Sequence, residues 1–83
     1  MAQIVLTNDL GRQFANGETT IELEVSSVRE MLRELDRRYP GIGKVLQDGS
    51  MAMAIDGEIF QEAFLETIGP NSEVFFLPAI KGG

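Results

Sequence analysis

The two glycines that end the chain, Gly82 and Gly83, are the most distinctive candidates for chemistry in this sequence. The chain has no Cys and no His, so it contains no thiolate nucleophile, and serine–histidine or cysteine–histidine catalysis is excluded within it. A zinc or copper site would need carboxylates alone, which suit those metals poorly. The scattered carboxylates form no obvious acid–base pair. We therefore predict no metal and no cofactor, and we expect the function to lie on a surface, a loop or a terminus.

Length and charge limit what the body of the chain can do. Its 83 residues make one domain with little room for an internal cavity. Seven Lys and Arg against thirteen Asp and Glu give a net charge of −6, which disfavours nucleic acid and favours a partner with a basic surface. The N-terminus lacks a signal-peptide pattern, and no apolar stretch approaches the roughly 20 residues of a membrane span. We expect a cytoplasmic protein without a membrane contact.

Five stretches of β-branched or alternating apolar residues predict strands. Asp56-Gly57 is the expected turn between the third and fourth stretches, and Asn16-Gly17 is a second strong turn signal. Residues 9–17 are otherwise polar, and residues 61–68 fit either a short turn or an irregular segment. The predicted strands are residues 3–8, 20–25, 51–55, 58–60 and 73–77.

One long helix is predicted between the second and third strands. Ser27 and Glu30 have the spacing of a capping box, and Pro40-Gly41 ends the helix. Its arginines alternate with acidic residues, which indicates a solvated face with i,i+4 ion pairs rather than an anion site. The residues of its apolar stripe are Val28, Met31, Leu32, Leu35 and Tyr39.

This order of elements predicts an α+β fold of the β-grasp (ubiquitin-like) type. A right-handed crossover through the helix places the last strand parallel to the first and beside it, with one main helix across one face of a mixed sheet. We expect residues 1–78 to form the domain and residues 79–83 to form a flexible tail. The tail taken alone is equally consistent with a frayed end that has no role.

Three segments carry a resemblance that spans the whole chain. They are the capped helix ending at Tyr39-Pro40-Gly41, then Ala54-Ile55-Asp56-Gly57-Glu58, and most specifically Glu73-Val74-Phe75-Phe76-Leu77-Pro78-Ala79-Ile80-Lys81-Gly82-Gly83. With these segments the chain resembles the ubiquitin-like sulfur carriers MoaD and ThiS, and the small subunit of molybdopterin synthase most of all. Two residues depart from the family pattern. Lys81 stands where a small or neutral residue is usual, and Asp56 stands where Asn is frequent.

The resemblance implies that the Gly83 carboxylate is adenylated and then converted to a thiocarboxylate, with Gly82 giving access to a narrow site. The implied partners are a ubiquitin-activating-like adenylyltransferase of the MoeB/ThiF type and the large subunit of molybdopterin synthase. The chain would then donate sulfur to molybdopterin and would not be a catalyst alone. Thiamine, cysteine or tRNA thiolation, protein modification through Gly83, and a binding module with an idle tail remain alternatives.

The last predicted strand offers a docking surface for such partners. If Val74 and Phe76 pack beneath the helix, strand geometry turns Phe75 and Leu77 to the open face. We predict that these two side chains bind the partner, unless a loop or a second copy covers them. Pro78, Ile80 and Lys81 complete the set of predicted partner-binding residues.

Overall fold

A computed structural model describes residues 1–79 of the chain. The elements run β1 (Ala2–Val5), α1 (Asn8–Phe14), β2 (Thr20–Leu23), α2 (Val28–Arg38), α3 (Ile42–Gln47), β3 (Met51–Ile55), β4 (Glu58–Phe60) and β5 (Glu73–Pro78).

The strands form one five-stranded sheet in the order β2-β1-β5-β3-β4. β5 pairs in parallel with β1, where Gln3 is opposite Glu73, and antiparallel with β3, where Ile55 is opposite Val74. The β1–β2 and β3–β4 pairs are antiparallel. The predicted mixed β-grasp sheet, with the last strand parallel to the first and beside it, is confirmed.

Helix α2 supplies the centre of the core, as its apolar stripe predicted. The hydroxyl of Ser27 accepts a hydrogen bond from the Glu30 N–H at 3.1 Å, so the predicted N-cap is present. In a capping box the Glu30 side chain would also accept the N–H of the cap residue, Ser27. Here Glu30 Oε1 instead accepts the N–H of the preceding residue, Ser26, at 2.9 Å. The stripe residues buried in the core are Val28, Met31, Leu32 and Leu35.

A second helix, α1, occupies much of the region that the sequence analysis treated as polar and turn-forming. Thr7 caps it through a bond from the Leu10 N–H to Thr7 Oγ1 at 3.1 Å, and this cap ends the first strand earlier than predicted. Gly11 is inside the helix, where alanine normally stabilises better. A Cβ at Gly11 would lie 2.5 Å from the carbonyl oxygen of Glu18, so the close return of the chain requires glycine there.

The segment 61–68, ambiguous in sequence, is irregular and is held against the start of α2. The Val28 N–H donates to the Glu66 carbonyl at 3.1 Å, and the Ile68 N–H donates to the Ser26 carbonyl at 3.0 Å. Ala63 and Ile68 are buried, whereas the neighbouring Phe64 is exposed. The segment therefore closes one end of the core and leaves an aromatic side chain on the surface beside α2.

Replacing Leu32 with alanine tests the core that this arrangement defines. Leu32 is 3% exposed, so Leu32→Ala should lower the free energy of unfolding by about 2–5 kcal/mol. Leu65 is 88% exposed, and Leu65→Ala is the matched control, with an expected change within about 0.5 kcal/mol. Urea denaturation of both variants measures the difference, and equal effects would contradict the core assignment.

Candidate functional site

β5 carries three of the predicted partner-binding residues in the middle of the sheet. Val74 and Phe76 are buried in the core, which is the alternation predicted from the strand period. Phe75 projects to the opposite, open face and is 43% exposed, while Leu77 on the same face is half-buried. Pro78 is exposed at the end of the strand. The role of these residues in partner binding stays a prediction.

Cross-strand neighbours widen the apolar surface around Phe75. Val5 of β1 and Ala54 of β3 are directly opposite Phe75, and Ile59 of β4 is opposite Ala54. Residues opposite one another in paired strands project to the same face, so these side chains form one row. Ile59 is 56% exposed. We name Val5, Ala54, Ile59, Phe75 and Leu77 the open-face patch.

Strand alternation in the sequence predicted only Phe75 and Leu77 of this patch. The other three members belong to different strands, and only the pairing register brings them beside Phe75. An exposed apolar patch bordered by polar residues is typical of a surface that binds another protein.

The charge around the open-face patch is acidic. None of the five described strands contains Lys or Arg. Glu22 and Glu73 are each opposite Gln3, and this row of side chains adjoins the row that contains Val5 and Phe75. The described strands therefore place carboxylates and no cation around the patch, and a partner with basic residues around an apolar centre stays a prediction.

Asp56 fastens the start of β5 to the β3–β4 hairpin. It stands in the turn with a positive φ of 49°, and Gly57 follows with a φ of 87°. Its Oδ2 accepts the Ser72 hydroxyl at 2.7 Å, and its Oδ1 accepts the Glu73 N–H at 2.9 Å. Both carboxylate oxygens thus act as acceptors, which gives a physical reason for Asp at a position where the family pattern often has Asn.

The same two bonds affect the ionisation of Asp56. The Ser72 hydroxyl first and the Glu73 N–H second lower the pKa of the Asp56 carboxyl, against a smaller opposing effect of burial. Ser72 Oγ also accepts the Gly69 N–H at 2.8 Å, so the turn before β5 is part of the same network. This network sets where β5 begins and hence where Phe75 projects.

The tail follows β5 directly. The Ala79 N–H donates to the Ser50 carbonyl at 2.9 Å, which attaches the residue after the strand to the loop before β3. The predictions for Ile80 and Lys81 as partner-binding residues, and for Gly82 and Gly83 as the reactive end, fall on residues outside the described part of the chain. They stay predictions.

Within residues 1–79, no group of three or more Asp or Glu side chains is placed to hold a metal ion. The helices of these same residues are too short or too polar to cross a membrane.

The fold and this surface define a class. A mixed sheet of the order β2-β1-β5-β3-β4, crossed by one main helix and leading from its central strand toward a Gly-Gly end, is that of a β-grasp, ubiquitin-like protein. The sequence profile of the ThiS family matches residues 5–83, so the chain belongs to the ThiS family of ubiquitin-like sulfur carriers. No curated protein sequence matches the chain.

Solved structures share this fold at low sequence identity. A chain of the Amycolatopsis orientalis BexX/CysO complex superimposes with a TM-score of 0.84 and 19% identity, and the match covers 100% of both chains. CysO of Mycobacterium tuberculosis, an antigen, superimposes with a TM-score of 0.83 and 18% identity, and the match covers 96% of this chain and 100% of that chain. The small archaeal modifier protein 1 of Methanosarcina acetivorans superimposes with a TM-score of 0.69 and 20% identity, and the match covers 99% of this chain and 95% of that chain.

A substitution of Asp56 tests whether this residue attaches β5 to the β3–β4 hairpin, because its contribution to stability should depend on pH. Because the folded-state pKa of Asp56 is lowered, its stabilising effect is present above the unfolded-state value of about 3.9 and is lost as the pH falls through the folded-state value. Asp56→Asn should therefore be less stable than wild type at neutral pH. The difference in unfolding free energy between this variant and wild type should become smaller below about pH 4.

Glu58→Gln is the matched control for this prediction. It removes one negative charge from the same hairpin, and the Glu58 side chain has no hydrogen bond or ion pair with the described residues. Denaturant unfolding of both variants at several pH values gives the comparison. If Asp56→Asn keeps the pH profile of wild type, Asp56 does not have the role assigned here.

Proposed function

We propose that this chain carries sulfur as a thiocarboxylate on Gly83 and donates it in molybdopterin biosynthesis. The activating partner is a ubiquitin-activating-like adenylyltransferase of the MoeB/ThiF type, and the acceptor complex contains the large subunit of molybdopterin synthase. The chain is a co-substrate and supplies no catalytic side chain. The observation that carries this proposal is the ThiS-family match, which extends through the terminal Gly-Gly.

The chemistry proceeds in two steps at one carbon atom. A carboxylate oxygen of Gly83 attacks the α-phosphorus of ATP, a P–O bond forms, and pyrophosphate leaves. Hydrosulfide then attacks the carbonyl carbon of the acyl adenylate, a C–S bond forms, and the C–O bond to AMP breaks. No oxidation or reduction occurs when hydrosulfide is the donor. The carrier needs only an accessible carboxylate, since the partner enzyme activates it.

The structure supports separate roles for the two parts of the chain, with partner binding by the folded domain and sulfur chemistry at the tail. The open-face patch holds the partner, while Gly83 follows in the sequence six residues after Leu77. A glycine pair has no Cβ to collide with the walls of an adenylation site. Binding through the body also places the tail at high effective concentration beside that site, so the tail itself needs little affinity.

Other acceptors are compatible with the same activation chemistry. Thiamine, cysteine and tRNA thiolation all require the thiocarboxylate, and the similar structures include CysO proteins and a small archaeal modifier protein. A protein modifier would instead join Gly83 to lysines of target proteins. We place molybdopterin first because the residues from Glu73 to Gly83 resemble the molybdopterin synthase subunit.

Formation of the thiocarboxylate can be detected with unusual specificity in this chain. The sequence has no Cys, so after incubation with the activating enzyme from the same cell, ATP and hydrosulfide, iodoacetamide at neutral pH should label the thiocarboxylate of Gly83 selectively. Oxidation of one of its four Met residues adds almost the same mass as replacing oxygen by sulfur. Alkylation followed by fragment mass spectrometry of the C-terminal peptide separates the two products.

Tail variants provide the controls. Deletion of Gly83 should abolish labelling and leave the free energy of unfolding unchanged, because β5 and its pairings remain intact. Gly82→Val should block labelling and Gly82→Ala should reduce it less, in order of side-chain bulk. Labelling of the deletion variant, or failure of every activating enzyme of that cell to adenylate wild type, would reject the carrier function.

The acceptor is identified by transfer. The chain that carries the thiocarboxylate is mixed with the large subunit of molybdopterin synthase and the substrate of that enzyme. The molybdopterin that forms is measured by its fluorescent oxidation product. Loss of the thiocarboxylate with formation of molybdopterin supports the proposed acceptor. A stable thiocarboxylate in this mixture points to another acceptor, and isopeptide-linked products in cell extract identify a protein modifier.

Leu77→Arg tests the open-face patch as the surface that binds the activating enzyme. A charged side chain in an apolar contact should weaken binding about tenfold or more. Leu77 is half-buried on the open face, where the aliphatic stem of Arg can follow the sheet, so the fold should persist. Titration calorimetry with the activating enzyme measures the affinity, and thermal unfolding checks the fold.

Leu65→Arg is the matched control for this substitution. It makes the same chemical change at a side chain that is 88% exposed and lies outside the open-face patch. Affinity equal to that of wild type is expected. The proposed surface is wrong if Leu77→Arg retains both its unfolding temperature and its affinity.

A further inference from the structure

A groove beside α2 concentrates positive charge on a protein that is acidic overall. Arg29 and Arg33 of α2 and Lys44 of α3 line it, together with Phe64 from the irregular segment. Its volume is about 470 Å³. The only carboxylate among its described lining residues is Asp36, so the lining has three positive charges against one negative charge. We name it the basic groove.

Within residues 1–79, the three positive side chains of the basic groove form no ion pair. Among residues 1–79 the ion pairs are Arg12 with Asp9 and Arg37 with Glu34, both spaced i,i+3 and both outside this lining. The alternation of charges along the helix predicted a solvated face with i,i+4 pairs. The structure instead brings two arginines of α2 beside a lysine of α3 without a carboxylate partner for any of the three in the described chain.

Asp36 has a structural role that explains why a carboxylate lines the basic groove. Its Oδ1 accepts the Gly41 N–H at 3.2 Å and the Gly43 N–H at 2.9 Å. A Cβ at Gly43 would lie 2.9 Å from the same oxygen, so the carboxylate packs directly on the start of α3. This contact holds α3 against α2 and thereby places Lys44 opposite the arginines.

An apolar groove adjoins the basic groove. It has a volume of about 350 Å³ and shares Leu32, Gln47 and Phe64 with its neighbour. The Phe64 ring stands at the junction and is 43% exposed, and the Arg29 guanidinium lies 5.5 Å from its centroid. Glu62 is the one acidic residue among the described residues of its lining. The other apolar side chains that line it are Leu46, Met51, Met53 and Ala63.

We propose that the two grooves bind one acidic peptide segment of a partner protein, with carboxylates over Arg33 and Lys44 and an apolar side chain beside Phe64. The occupant must combine both chemistries, because one half of the site is basic and the other is apolar. A free phosphate would use only the basic half. Nucleic acid would bring a long array of phosphates against a chain of net charge −6.

This surface is separate from the open-face patch. The two sets of residues have no member in common, and the open-face patch projects from the side of the sheet opposite the core that α2 covers. A partner in the grooves therefore leaves Phe75 and Leu77 accessible. The proposal does not depend on sulfur chemistry and can fail or succeed independently of it.

The test is a titration of the ¹⁵N-labelled full chain with a short peptide in which glutamates flank a leucine–phenylalanine pair, followed by NMR chemical shifts. We expect shifts at the backbone amides of Arg33, Gly43, Lys44 and Phe64, and none across the open-face patch. Replacing the glutamates of the peptide with glutamines should weaken binding.

Paired variants separate local contacts from net charge. Arg33→Gln with Lys44→Gln should weaken binding about three- to thirtyfold, since each exposed charge contact accounts for a small factor. Arg12→Gln with Arg38→Gln removes the same net charge outside the lining and should leave the affinity almost unchanged. Phe64→Ala should weaken binding about two- to tenfold, whereas Leu65→Ala should have no effect.

Four results would overturn the proposal. The first is the absence of shifts in the grooves at millimolar peptide, and the second is an equal loss of affinity in both double variants. The third is the same shifts, at the same concentration, from inorganic phosphate or a short single-stranded DNA, which would define a general anion site. The fourth is concentration-dependent shifts of the grooves without peptide, which would identify a second copy of this chain as the occupant.

Discussion

The pairing of β5 with both β1 and β3 is the constraint on which the rest of the structure depends. Its register sets Val74 opposite Ile4 and Ile55, which gives the core a row of three buried side chains facing α2. The same register turns Phe75 to the other face, opposite Val5. A slip of one residue would exchange the two faces. The core and the open-face patch therefore share one physical cause.

Sequence patterns predicted the elements whose signal is local. The stripe of α2 and the alternation of β5 repeat within a few residues, so counting positions was enough. Helix α1 was missed because it is short and contains Gly11, whose requirement arises from the distant carbonyl of Glu18. The same limit applies to the surfaces. Ile59 joins Phe75 only through strand register, and Lys44 joins Arg33 only through the packing of α3 on α2.

The positive charges of the described chain are confined to its helices, where they are mixed with acidic residues. Every Lys and Arg of the described chain belongs to α1, α2 or α3, whereas the strands contain only acidic and neutral residues. The open sheet face therefore presents apolar and acidic side chains, whereas the lining of the basic groove has three positive charges against one negative charge. The partners proposed for the two surfaces therefore differ in charge, one basic and one acidic, even though the domain is small.

The position of β5 also has a consequence for biosynthesis. A nascent chain that has reached only residue 72 contains the β1–β2 and β3–β4 pairs but not the strand that joins them into one sheet. The contact of residue 3 with residue 73 spans nearly the whole chain, so the sheet closes only after the ribosome has released the last strand. A product that ends before β5 lacks Val74 and Phe76 of the core and both pairings of that strand. Residues 80–83 are therefore present only in translation products that already contain every strand of the sheet.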